Sequence, residues 1–579
     1  MPAAPTPARL SQTALYRILV LSLIGVGVGT GASLAAIAFV EALTWLNDLL
    51  LVSPYARIQY ETQPGLVTAA TVLVPALGGL LVGLLVRYGV AERRGLAPPD
   101  TIYAVQTRTR PPSLKSGLAS TTAALVSLGA GASVGQYGPL VHLGAMLGNL
   151  AAGLNLGVRN VQPVALACGV AAAISTAFNA PVAGLVFAHE VILRHYSLRA
   201  FAPVTVASAT GYVFANVIFE RPALFLVSFE GVPHSYEFVL FALVGVASAL
   251  LACVFMAALL WAGRQAARTP LPQALRPMAA GLALGLFALQ VPEVLGIGQE
   301  TLRFATIDGA FAPGELALLV AAKLAATVLC VAFGFVGGVF SPALLIGILF
   351  GALCGTLVSL VPLPIESSGV VVYAICGMMA VTSPVIGAPL TTILIVFELT
   401  RNYDLTIAAM VAVVFSNLVA YRIFGRSLFD AQLKARGFDL SLGRDKAILE
   451  SRRVIDYLSQ AASVLPPTAG VADLQAELAR ADRSEATVVD DDGRYRGTVR
   501  LQDAAGRDPA TPIGELAERA PTIFGPDTSV WAAIQALPGF VGEAVPLRRR
   551  CGPLPGRGAG RSRDPRLPRR HQRTPDGRE

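Results

Sequence analysis

Two short stretches put backbone chemistry inside apolar sequence. GQYGP (Gly135–Pro139) lies in a run without Asp, Glu, Lys or Arg between Lys115 and Arg159, and GVFSP (Gly338–Pro342) lies in another, 324–365. Both read G-x-x-x-P. Helix-breaking residues are tolerated at bilayer depth only where the freed backbone is buried in protein or lines a cavity. A helix that begins there turns unpaired N–H groups and a positive dipole end into that cavity. Two such ends converging would hold an anion without a fixed cation. A packing kink is the plain alternative for a lone Gly-Pro, and recurrence favours a site. Tyr137, in the middle of the first break, is a phenol of pKa about 10. It is neutral at physiological pH and has one O–H to donate.

Few other side chains in these runs could titrate. Glu190 follows His189 in an apolar segment, and His142 sits three residues past Pro139. An intramembrane ionisable residue carries a functional expectation, although a buried histidine is more often a satisfied packing residue. Five of the six cysteines (Cys168, Cys253, Cys330, Cys354, Cys376) lie in apolar segments without metal-like spacing. They read as small packing residues.

The elements that hold these residues must be membrane helices. The chain of 579 residues is 54% hydrophobic and 14% charged, whereas soluble proteins are about a quarter charged. Uncharged runs cover 18–40, 62–86, 238–263, 324–365 and 367–397. One span needs roughly 20 apolar residues, so the runs 324–365 and 367–397 each hold more than one segment, or re-entrant ones. This excludes a soluble enzyme and predicts a polytopic membrane protein with fourteen to eighteen helical segments over 14–425. No cleavable signal peptide is expected.

The membrane region repeats itself. NAPVAGLVFAHE (179–190) parallels GAPLTTILIVFE (387–398) at an offset of 208, and the two G-x-x-x-P breaks lie 203 apart. Two matched pairs at nearly one offset predict duplicated halves, which in transporters are often inverted with the site between them.

These motifs, in order, resemble the CLC family of chloride channels and chloride/proton antiporters. GLAPPD (95–100) stands at the family's G-S-G-I-P-E-like loop and GQYGP at its G-R/K-E-G-P. FNAPVAGLVFAHE (178–190), GGVFSP (337–342), GAPLTTILIVFELTRNYDL (387–405) and GRSLFDAQL (425–433) match further elements. The resemblance covers about 14–440. It implies an all-α polytopic membrane protein of CLC-type inverted repeats with broken helices, assembled as a homodimer of two separate pores. The bacterial inner membrane and a cytoplasmic C-terminus are expected.

Carried over position by position, Val339 and Phe340 offer backbone N–H groups to the anion, and Gly135, Gly138, Pro139, Gly338 and Pro342 form the helix breaks. Leu96 and Phe429 occupy anion-binding positions where the family has a serine and a tyrosine, so both hydroxyls are missing. Tyr137 replaces the gating glutamate. Val191 stands where antiporters have their internal proton glutamate; neighbours on a helix diverge by about 100°, so Glu190 does not fill that direction. Glu190 itself is expected to be structural, near the dimer interface. With both proton-handling carboxylates absent, the resemblance implies a passive anion conductor. A proton-coupled antiporter using Glu190, His189 or His142 is the alternative, and a membrane sensor is a third reading.

The C-terminal region is soluble in composition. Residues 426–460 read as a polar connection between the membrane domain (14–425, after an N-terminal segment 1–13) and a region 461–547. That region reads strand, helix, strand, DDG turn, strand and resembles a CBS module, a small α/β cytosolic domain. A second copy begins 59 residues on, with Pro526 after Pro467 and Val530 after Val471, and breaks off before its hairpin. Such pairs often hold an adenine nucleotide, which an incomplete second copy is not expected to do; no cofactor or metal is expected. Residues 548–579 carry eleven Arg against three acids, which accounts for the whole net charge of +8. With almost no apolar residues they read as a disordered tail. A frameshift product and a basic arm for anionic lipid are the two accounts. Nucleic-acid binding is not expected.

Overall fold

The computed structural model describes residues 7–107, 109, 111–154, 161–220, 231–360, 368–440, 444–457, 463–492, 494–518, 523–538, 545 and 547. The reading of 548–579 as a tail lies outside them. Two units are present, Met1–Arg444 and Asp445–Glu579.

The first unit is a bundle of helices of very unequal length. In chain order they are α1 (Pro7–Leu49), α2 (Pro54–Gln59), α3 (Pro64–Gly89), α4 (Pro98–Thr107), α5 (Leu114–Gly129), α6 (Tyr137–Ala152), α7 (Val161–Phe178), α8 (Pro181–Phe187) and α9 (Leu198–Tyr212). They continue as α10 (Glu237–Arg268), α11 (Arg276–Ala288), α12 (Gln299–Phe304), α13 (Pro313–Ala332), α14 (Phe340–Ser359), α15 (Val370–Ile386), α16 (Pro389–Thr400), α17 (Tyr403–Ile423) and α18 (Leu428–Ala435). Among the described residues eight helices are long and apolar enough to cross a membrane. Shorter ones such as α8, α11 and α16 stop part-way, as broken helices do.

The offsets seen in the sequence recur as packing. Gly144 on α6 and Gly169 on α7 face each other so closely that a Cβ on either would collide with the other's carbonyl. Their counterparts Gly347 and Gly377 make the same approach between α14 and α15, where a Cβ on Gly347 would lie 2.7 Å from the Gly377 carbonyl. Lipid supplies no hydrophobic drive between helices, so close backbone approach at small residues is what packs them.

Residues 188–193 form a π-helical turn after α8, ending at Arg194 in the left-handed region (φ 56°). The sequence reading treated this stretch as ordinary α-helix. The wider turn leaves its conclusion standing, because Val191 is buried while Glu190 reaches the start of α16.

The second unit holds β1 (Val464–Leu465), α20 (Val471–Ala481), β2 (Glu485–Val489), β3 (Tyr495–Arg500) and α21 (Val530–Ala536), preceded by α19 (Arg444–Ser451). The sheet order is β1-β2-β3, with β1 parallel to β2 and β3 antiparallel. Leu474, Leu478, Val488, Val499 and Ile513 fill one core. Leu465 pairs with Val488, and 59 residues later Phe524 forms a parallel bridge with Leu547. The second copy therefore starts in the register of the first.

Candidate functional site

The two G-x-x-x-P breaks meet. Gly135 and Gly338 exchange both backbone hydrogen bonds, N–H to carbonyl at 2.6 Å in each direction. This antiparallel bridge sets the start of α6 beside the start of α14. Glycine is required here, since a Cβ on Gly138 would lie 2.8 Å from the Gly338 Cα. Pro139 and Pro342 each occupy the third helical position, where a missing N–H costs no intrahelical bond. The N–H groups of Val339 and Phe340 have no backbone acceptor among the described residues, as the anion-binding reading needs.

Three spaces lie along this junction. A cavity of about 290 Å³ is lined by Leu96, Val339 and Phe429 together with five arginines: Arg87, Arg93, Arg94, Arg276 and Arg436. It shares Pro98, Gly338, Val339 and Phe429 with a hollow of about 20 Å³, about the room one water needs, which Tyr137 and Phe340 also wall. Beyond Tyr137, its neighbour Gln136 lines a second cavity of about 550 Å³.

Tyr137 lies in a cluster of aromatic rings. Its ring stacks on Phe178 with centroids 4.0 Å apart and meets the edge of Phe340 at 5.1 Å. Phe178 and Phe340 are themselves 5.3 Å apart. All three are buried. The sequence reading gave Phe178 no role, although it opens the quoted FNAPVAGLVFAHE motif.

Phe429 is buried at the start of α18, a helix capped by Ser427 and tied to the π-turn by an Arg194–Asp430 ion pair of 2.6 Å. Leu96 lines the basic cavity, but its N–H donates to Ser120 Oγ at 2.9 Å. It therefore offers an anion apolar surface only. Asp100 bridges two of the lining arginines, accepting from Arg94 at 2.9 Å and Arg436 at 2.8 Å, and its Oδ2 also takes the Ala97 N–H.

Burial pushes the Asp100 carboxyl up, but hydrogen bonding to Arg94 and the charges of Arg94 and Arg436 outweigh it and hold it below the ordinary carboxylate range. A carboxyl whose folded pKa is lowered stabilises the fold above its unfolded pKa, about 3.9, and loses that contribution as pH falls through the folded value. Asp100→Asn should then cost about 1.5–3 kcal/mol at neutral pH, the range for a hydrogen bond to a charged group. Thermal unfolding should show the difference from the unsubstituted chain shrinking as pH drops below about 4.

Glu190 and Glu398 form a reciprocal pair of helix caps. Glu190 accepts from the N–H groups of Leu390 (3.0 Å) and Thr391 (2.9 Å) and from the Thr391 hydroxyl (2.7 Å) at the start of α16. Glu398, its echo 208 residues on, accepts from Val182 (2.8 Å) and Ala183 (2.7 Å) at the start of α8. The carboxylate of each half thus caps the other half's helix. His189 places Nδ1 3.0 Å from the His195 carbonyl and stacks on Tyr196. His142 is buried with neither ring nitrogen partnered, against Gly117 of α5 and away from the hollow. The five described cysteines are unpaired thiols.

The family profile described as voltage gated chloride channel matches residues 78–421, more than half of the chain. The chain belongs to the voltage-gated chloride channel family. The ClcB-like chloride channel protein of Ralstonia nicotianae is 31% identical over 427 residues, covering 72% of this chain and 96% of the relative. The H(+)/Cl(-) exchange transporter ClcA of Salmonella agona is 26% identical, covering 70% and 86%. Among solved structures, a slow cyanobacterial Cl−/H+ antiporter superposes with a TM-score of 0.65 at 22% identity, covering 72% of this chain and 97% of that one. That likeness concerns the fold. As a family member the chain is an integral membrane protein for chloride transport, and the inverted repeats expected from the offsets are those of this family.

Proposed function

We propose that this family member conducts chloride passively, without proton coupling. One observation carries the reading: both positions that must titrate in a proton-coupled cycle hold groups that cannot. Tyr137 is a neutral phenol packed between rings, and Val191 is a buried hydrocarbon. Of the substitutes weighed above, Glu190 caps α16 and His189 meets the His195 carbonyl, while His142, with neither ring nitrogen partnered, lines none of the three spaces. Anion transport is supported by the free N–H groups at the α6–α14 junction and by five arginines lining the cavity that leads to it. Those arginines cluster on one side of the bundle, which the positive-inside rule assigns to the cytoplasm. The C-terminal unit would face the same compartment, in the inner membrane of a bacterium, and the protein would work as a homodimer. The C-terminal unit itself is proposed as a CBS-like module that does not hold nucleotide.

Reconstituted vesicles test this. A pH gradient alone should drive no uphill chloride accumulation, and chloride efflux should proceed with no stoichiometric proton movement at any pH between about 5 and 8, the range in which histidine titrates. Proton uptake in fixed ratio to chloride flux would refute the reading and favour the exchange named for the Salmonella relative.

A further inference from the structure

The two cavities that flank Tyr137 differ in charge, and the difference has a direction. They lie at opposite ends of the bundle. Arg57, which lines the 550 Å³ cavity, donates to Thr71 near the start of α3, while Gly83, Val86 and Arg87 near its other end line the 290 Å³ cavity. Fifteen helical residues between Thr71 and Val86 rise about 22 Å.

The 290 Å³ cavity is lined by five arginines and no carboxylate, with Asp100 and Glu92 beside them offsetting two charges. The 550 Å³ cavity is lined by one arginine, Arg57, against Asp48, Glu293 and Glu300. Lys323 lies behind its wall, 2% exposed, with its ammonium donating to the carbonyls of Val294 (3.0 Å) and Gly296 (2.7 Å). Counting that lysine, one mouth carries about three positive charges and the other about one negative charge.

A charged cleft with low-dielectric walls changes the local concentration of small ions, and access rates with it, by 10- to 10³-fold. From this asymmetry we infer that the chain rectifies: chloride crosses more readily from the arginine-lined cavity toward the acidic one than in the reverse direction. The inference rests on the passive-conduction reading, because a tightly coupled exchanger is limited by its cycle and not by anion access. No work is done on the anion. At zero voltage and equal chloride the net flux is zero, and the asymmetry appears only as unequal limbs of the current–voltage curve.

Patch recordings of the full chain in equal chloride on both sides test it, at about 10 mM and about 1 M salt, where the Debye length is about 30 Å and about 3 Å. At low salt the limb that moves chloride out of the arginine-lined cavity should exceed the other about tenfold, the low end of the range for charged clefts. At high salt the ratio should fall below about twofold. Arg93→Cys, on an exposed loop residue, identifies the side. A membrane-impermeant anionic thiol reagent in one bath only should shrink the strong limb, with the unsubstituted chain as control. Glu300→Gln, also exposed, should enlarge the weak limb. Equal limbs at low salt, a stronger limb in the opposite direction, or an asymmetry untouched by salt would each overturn the inference while leaving conduction intact. No current at any voltage would overturn the conduction reading and this inference with it.

Discussion

Tyr137→Ala is expected to raise chloride flux about 10- to 100-fold. On the proposed path the ring is the barrier, between a hollow of about 20 Å³ that it walls and the 550 Å³ cavity lined by its neighbour Gln136. Displacing it breaks one stacked and one edge contact, with Phe178 and Phe340. Aromatic pairs contribute about 0.5–1.5 kcal/mol each beyond buried area, and about 1.4 kcal/mol is tenfold in rate. Tyr137→Phe keeps both ring contacts and should leave flux within about twofold of the unsubstituted chain. Tyr137→Glu introduces a group of pKa about 4.3, and flux should become pH-dependent. The measurement is chloride efflux from vesicles clamped with a potassium ionophore. If alanine leaves efflux unchanged, the ring stack is not the barrier and the path runs elsewhere.

Removing either member of the reciprocal cap should weaken the fold. Glu190→Ala strips acceptors from two N–H groups and one hydroxyl of α16, and Glu398→Ala strips them from two N–H groups of α8. Water cannot freely replace them at that depth, so each exposed donor carries a desolvation cost of about 1–3 kcal/mol. A loss of about 1–3 kcal/mol per variant is expected, the range for leaving donors unsatisfied. It would be read as a lower unfolding temperature in detergent. Glu190→Gln keeps one carbonyl acceptor and should lose less. The same variants separate capping from proton relay. A relay glutamate changed to glutamine would abolish proton movement at little cost in stability, whereas a cap changed to alanine costs stability and leaves proton movement at zero.

Both predictions draw on features that a linear reading could see only in part. GQYGP and GVFSP were recognisable as helix starts because glycine and proline restrict the backbone locally, whatever surrounds them. The 203- and 208-residue offsets revealed duplication, and the family resemblance pointed to residues 137 and 191, a tyrosine and a valine, as the positions to compare. Glu190 was read as structural, and its carboxylate accepts from the start of α16. That its partner is the start of α16, and that Glu398 answers it, depends on two segments 200 residues apart packing against each other.

Residue type and spacing alone therefore determined the membrane fold, the broken helices and the repeat, since each follows from local backbone preference or hydropathy. The tertiary structure decided what required neighbours. It placed the Phe178 ring against Tyr137, committed the Leu96 N–H to Ser120, and gathered arginines from 87–94, 276 and 436 around one cavity while acids from 48, 293 and 300 surround the other. Stacking, hydrogen-bond competition and electrostatic focusing all act through distances of a few ångströms. Residues remote in the chain acquire such distances only when the two halves fold together.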